Sequence, residues 1–226
     1  MPRKARFAPP GYWLHILQRG HDHRPVFRHD DDRDLYLDLL GRYAQERQIQ
    51  VLGYNLMPDH LHLVALGKYP QAVSDWMRCL NGHYAQRMLA LEASRGRFWQ
   101  DRFFSCTVED RHLRSVLRYV EQNPVRSGLA PEATEYLWSS AGGHTGRVTA
   151  PWFLNQQEFA MRFTRSDWRL ALAHPQSSAE IAAIRHATRL GLPLGSPEFL
   201  SRLEVEFDIR LSRLSAPPKA MAAGAA

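Results

Sequence analysis

Lysine is almost missing from the 226 residues: of 29 cations only Lys4, Lys68 and Lys219 are lysine, and the rest are arginine. Cysteine is nearly as scarce. Cys79 and Cys106 are too few for a disulfide framework, and neither sits in a C-x-x-C pair or beside a histidine pair, which argues against a structural zinc site. No apolar run reaches the 18 residues that a membrane span needs. The basic opening, Met1 to Phe7, is not followed by the apolar stretch of a secretory signal, so a reduced, cytoplasmic protein is expected. The length suits one full core with at most a small second unit.

What is present is positive charge, net +6 with a pI near 9.6. That permits a nucleic-acid partner, and arginine is the cation suited to phosphates and base edges. Genomic composition bias also replaces lysine with arginine, so the charge is suggestive by itself and no more.

Hydrophobic patterning divides the chain. Residues 1–11 form a basic arm, expected to be poorly ordered. The spacing predicts strands over 12–19, 49–57, 60–66 and 103–108, the second and third forming a hairpin across Pro58-Asp59. It predicts helices over 30–48, 70–94 (closed by Gly96) and 110–123, the last stopped by Pro124. The order strand, helix, strand, strand, helix, strand, helix implies an α+β fold, a ferredoxin-like antiparallel sheet with its helices on one face, over residues 12–130. Residues 131–214 read as a small helical C-terminal extension, expected to bind DNA. Gly142, Gly143, Gly146 and Pro151 mark a loop, and short helices follow near 155–163, 178–190 and 197–213. Ser196 and Pro197 make a good helix start and Gly191 a good helix end. Residues 215–226 read as a disordered tail.

Three features could carry chemistry. His60-Leu61-His62 lies in an alternating strand, where residues two apart share a face with about 6.6 Å between backbones, so both imidazoles can reach one metal ion. The plain alternative is an edge strand with two solvated histidines. A second pair, His21-Asp22-His23, falls in a polar loop and reads as surface or substrate contact, which shows how weak H-x-H is in isolation. Tyr119 lies off the apolar stripe of its helix, and Asn123, at i+4, projects near the same point. A satisfied tyrosine at the core margin is the plain alternative there. Finally, Phe98 to Phe104 interleaves aromatics, Trp99 among them, with Arg102, as stacking and phosphate neutralisation require; a core strand after a turn fits equally well.

Together these segments resemble a known family. Met57-Pro-Asp-His-Leu-His-Leu-Val64, Phe98-Trp-Gln-Asp-Arg-Phe-Phe-Ser105 and Arg118-Tyr-Val-Glu-Gln-Asn-Pro-Val-Arg-Ser-Gly-Leu129 occur in the order and spacing of the REP-associated tyrosine transposases, relatives of the HUH single-strand transposases. Arg19-Gly20, Val26-Phe27 and the stretch from Arg185 to Leu200 are also similar, so the resemblance runs over roughly residues 10–215. It implies an HUH endonuclease fold and metal-dependent DNA strand transfer. It implies His60, His62 and Asn123 as holders of Mg²⁺ or Mn²⁺, with Gln122 the alternative amide, and Tyr119 as the nucleophile that forms a 5′-phosphotyrosine. The implied partner is single-stranded DNA folded as a REP-type hairpin, which would draw the protein to the nucleoid. Arg19, His21, His23, Arg24, Trp99, Arg102, Arg118, Arg126, Arg185 and Arg189 are the candidate DNA contacts. The extension is expected to complete a monomer; a dimer sharing active sites is the other arrangement open to it. Two further readings stand beside this one: a non-catalytic hairpin-binding protein on the same scaffold, and a metal-dependent nuclease that uses water.

Overall fold

The computed structural model describes residues 6–93 and 95–211. Its elements in chain order are β1 (Trp13–Arg19), α1 (Asp30–Glu46), β2 (Ile49–Leu56), β3 (His60–Gly67), α2 (Ala72–Leu91), β4 (Phe104–Val108), α3 (Asp110–Glu121), α4 (Asn123–Arg126), α5 (Ala141–Thr145), α6 (Gln156–Arg162), α7 (Arg165–Ala173), α8 (Ser178–Leu190) and α9 (Pro197–Glu206). The four strands form one antiparallel sheet in the order β2-β3-β1-β4, the split arrangement expected of a ferredoxin-like fold.

Alternation along the strands sends two sets of side chains to opposite faces. Leu14 and Ile16 of β1, with Leu61, Leu63 and Ala65 of β3, meet Tyr36 and Leu40 of α1 and Trp76, Leu80 and Tyr84 of α2. Trp13, Val64, Cys106 and Val108 face the other way, against Leu113, Val116, Leu117 and Val120 of α3 and against Phe159, Trp168, Ile184 and Ala187 of the C-terminal helices. The helices therefore cover both faces, not one as expected, because α3 and the extension bury a second apolar core. His60 and His62 belong to that second face. Since β3 lies between β2 and β1, they are on an interior strand and not on a solvated edge.

The extension is welded to α3 by a buried polar group. The Glu121 carboxylate accepts from Ser140 Oγ at 2.5 Å, His144 Nδ1 at 2.6 Å and Trp168 Nε1 at 2.7 Å. These three donors lie in or beside α5 and in α7. The expected loop at 142–146 is thus mostly a buried helix. Gly142 and Gly143 permit it: a Cβ would stand 2.9 Å from Val148 Cγ2 at one and 3.1 Å from Ala150 Cβ at the other. Helix α7 was not expected; Thr164 caps it by accepting from Asp167 N, and Trp168 fills the core.

Three other expectations are revised. Pro124 does not stop the helical path: α4 follows α3 after the single residue Gln122, since a proline in a first helical turn has no hydrogen bond to lose. The arm is docked over its described part, with Gly11 N donating to Gly67 O at 2.9 Å and Phe7 edge-on to Phe207 at 5.7 Å. Helix α2 ends at Leu91 rather than at the glycine, with Ala93 in the left-handed region (φ 48°) just beyond. Ser196 and Gly191 cap α9 and α8 as read from the sequence. Residues 1–5 and 212–226, including the tail, lie outside the described residues. No helix among the described residues is long and apolar enough to cross a membrane.

Candidate metal and nucleophile site

The site forms where β3, β1, the end of α3 and helix α8 converge. His60 and His62 stand on β3 with ring centroids 5.1 Å apart and rings nearly perpendicular. His62 pairs in register with Leu17, so His15, two residues back on β1, lies diagonally beside it on the same face. The His15 and His62 rings stack at 5.1 Å, and the Tyr119 ring meets each edge-on at 5.5 Å. A cleft of about 500 Å³ opens over these groups. Asn123, Arg19, His23, Arg185, Thr188 and Arg189 also line it.

Each histidine has a second partner. His60 Nδ1 is 2.6 Å from Asp59 Oδ1, leaving Nε2 3.1 Å from the Asn123 amide. The hydrogen bond from His60, followed by the positive charges nearby, holds the Asp59 carboxyl below its ordinary range. A carboxylate behind a histidine is the usual support of a metal-ligating imidazole. His62 Nδ1 is 2.9 Å from His15 Nε2, and His15 Nδ1 is 2.7 Å from Thr188 Oγ1. Burial pushes His15 down to about 3 and His62 well below its ordinary value, so both rings are neutral, the form in which imidazole binds metal.

These residues fit a divalent cation. Among the described residues no three His, Cys, Asp or Glu side chains gather as a metal-holding set, so a cation held by the histidine pair would need a third donor of another kind. The Asn123 amide, already on His60 Nε2, is that donor in reach; a half-turn of its side chain presents oxygen instead of nitrogen. Gln122 is turned away from the cleft. Its Nε2 donates to Leu172 O at 2.9 Å and to His174 O at 2.7 Å.

Tyr119 is buried, with the Arg126 guanidinium 4.4 Å from its ring centroid and Arg126 donating to its carbonyl. Burial lowers Arg126 to about 10, which leaves it charged at neutral pH. Arg185 Nε lies 3.4 Å from the Tyr119 hydroxyl. The nucleophile candidate thus has one cation on its face and another at its oxygen.

Arg126 aside, which lies on the Tyr119 ring, the candidate DNA contacts separate into those at or beside the cleft and those away from it. Arg19, His23, Arg185 and Arg189 line the cleft, with His23 Nδ1 3.3 Å from Arg19 and in the left-handed region (φ 56°). Arg102 and Arg189 line an adjoining depression with Phe104. The others point elsewhere. Arg24 is tied to Glu92 and lies over the Phe98 ring, His21 pairs with Asp22 at 3.0 Å, and Arg118 reaches His174 O at 2.8 Å on the far side of α3. Trp99 is a wedge between α2 and the sheet, its Nε1 donating to Asn81 O at 2.9 Å. Asp59, His15 and Thr188 escaped the sequence reading as site residues. For Asp59 the adjacency to His60 was a usable signal. For the other two there was none, because a diagonal cross-strand contact and a docked C-terminal helix leave no local pattern.

A family model described as "Transposase IS200 like" matches residues 10–123, just over half of the chain. The chain belongs to the IS200-like transposase family. The matched region holds every strand, the histidine pair, Tyr119 and Asn123, and stops short of the C-terminal helices. The ISDra2 transposase TnpA of Deinococcus radiodurans is 28% identical over 90 residues, which span 37% of this chain and 64% of that one, so the match leaves about a third of that relative uncovered. A solved REP-associated tyrosine transposase bound to a REP hairpin superposes with a TM-score of 0.56 at 16% identity, over 67% of this chain and 89% of that one; the two share a fold.

Proposed function

We propose that this transposase cuts and rejoins single-stranded DNA at folded hairpins, through a covalent link to Tyr119. The observation that carries the proposal is the meeting of Tyr119 with His15 and His62 at 5.5 Å, in one cleft with the His60–Asn123 contact and an arginine rim. His60, His62 and Asn123 would hold Mn²⁺ or Mg²⁺, which when bound supplies Lewis acidity toward a phosphate oxygen. The Tyr119 oxygen attacks phosphorus, the bond to the 3′ oxygen breaks, and a 5′-phosphotyrosine and a free 3′-hydroxyl result. Arg126 on the ring and Arg185 at the hydroxyl set positive charge beside the attacking oxygen, where the charge of the phosphate must be met. A 3′-hydroxyl from another strand reverses the step and joins the two.

The partner proposed is single-stranded DNA with hairpin structure of the REP type, since the neighbour sharing this fold is bound to a REP hairpin. The histidine pair, Tyr119 and Asn123 meet within one chain, and both sheet edges are bridged by its own extension, Asn55 with Ser139 and Val108 with Leu194. These features support a monomer.

The test is incubation with labelled hairpin strands and Mn²⁺, followed by a search for a covalent protein–DNA adduct. Tyr119→Phe should form no adduct and should bind the hairpin as the parent does. Cleavage surviving in that variant would overturn the nucleophile assignment and favour attack by water.

A further inference from the structure

We propose that Thr188 of α8 and His15 of β1 act as a hydrogen-bond relay that fixes which nitrogen of His62 carries the proton, so that Nε2 is left bare for a metal. The inference rests on the metal reading of His60 and His62 given above.

The relay follows from counting protons. The Thr188 hydroxyl lies 2.8 Å from the carbonyl of Ile184, one turn back on the same helix. A hydroxyl has one proton to give, and a carbonyl can only accept. With that proton placed on Ile184 O, Thr188 Oγ1 must accept from its other neighbours. One is Cys106 Sγ at 3.3 Å, a thiol that burial pushes up to about 11 and that therefore keeps its hydrogen. The other is His15 Nδ1 at 2.7 Å, which must then carry the ring proton. A neutral imidazole has only one, so His15 Nε2 is a lone pair. It faces His62 Nδ1 at 2.9 Å, which places the His62 proton on Nδ1 and leaves Nε2 bare.

His60 reaches the same tautomer by another route. Asp59 Oδ1 accepts from its Nδ1 at 2.6 Å, and its Nε2 is turned to Asn123. The two histidines thus arrive in matched form, one oriented by a carboxylate beside it in sequence and the other by a relay ending on a helix more than a hundred residues away. Run in the opposite sense, with Thr188 donating to His15, the chain would end in an N–H at His62 Nε2, which cannot ligate. Helix α8, which lies outside the matched family region, therefore acts on His62 through His15. His15 and Thr188 are positioning residues.

The decisive measurement needs no metal and no DNA. In the metal-free full chain labelled with ¹⁵N-histidine, two-bond ¹H–¹⁵N correlations should show His62 protonated at Nδ1 and bare at Nε2. The reverse form would overturn the relay. Thr188→Val removes the acceptor while keeping the shape, and Thr188→Ser retains it. The Mn²⁺ dissociation constant should rise about tenfold or more in the valine variant, the usual cost of losing a group behind a metal ligand, and stay near the parent value in the serine variant. An unchanged affinity in a folded Thr188→Val would also sink the proposal; if that variant fails to fold, the parent tautomer decides alone. The broader reading fails separately. The expected tautomer and affinities with no covalent adduct would leave the relay standing and remove strand transfer, whereas an adduct from a protein with the reversed tautomer would do the opposite.

Discussion

At the scale of single residues the site depends on neutral imidazoles in a dry place. His15 and His62 have folded pKa values below the unfolded value, so the unfolded chain binds protons more readily than the folded one. The sign follows: their contribution to stability is whole above about pH 6.5 and drains away as pH falls from there toward about 3, the value for His15. In metal-free protein, urea denaturation should lose about 1.4 kcal/mol per pH unit across that window on account of His15, with His62 adding to the loss in the same direction. A His15→Phe variant should show a visibly flatter acid limb, and an unaltered one would mean that His15 is not held neutral.

At the scale of elements, two close fits carry the architecture. Gly53 of β2 lets α3 approach the sheet, since a Cβ there would stand 2.3 Å from Leu117 Cδ1. Gly53→Ala should cost about 1–3 kcal/mol by overpacking, measured as a lower denaturation midpoint, with part recovered by Leu117→Val. Glu121 is the second fit. It gathers Ser140, His144 and Trp168 at zero exposure, and Glu121→Ala leaves three buried donors without their acceptor. A loss of about 3–5 kcal/mol is expected, enough to loosen α5 and α7 from α3 and to appear as faster amide exchange in both helices. These elements also mark what could be read in advance. The strands and the first three helices were legible because their apolar periods are regular. So was the spacing that sets Asn123 one turn beyond Tyr119. Helix α7 and the burial of Gly142 and Gly143 were not, because their order comes from a carboxylate on another element. Arg118 lies apart for a related reason: it adjoins Tyr119 in sequence, but one step along a helix turns a side chain by about 100°, which here takes it to His174 O and away from the cleft.

At the scale of the whole molecule, charge matters by place rather than by total. Arg19, Arg185 and Arg189 share the cleft, while Arg24, Arg42 and Arg118 are engaged away from it. Hairpin binding should weaken with added salt in the parent protein. Arg185→Ala with Arg189→Ala should reduce the slope of log K against log[salt] by about 0.7 for each single-strand phosphate that is no longer neutralised. Arg42→Ala should leave the slope as it is, and a like effect from all three would mean that the surface binds DNA without a preferred track.

The lining of the cleft runs from His15, near the beginning of the chain, to Arg189 on α8. Synthesis therefore releases the histidine pair and the tyrosine well before the helix that closes them in. A ribosome adding about 5–20 residues per second finishes that helix only after the sheet's own strands have all emerged. A nascent chain holds the histidine pair and the tyrosine before their enclosure, and a product that stops before α8 lacks Arg185, Thr188 and Arg189 together. The helix made last among those lining the cleft is therefore the one that completes it.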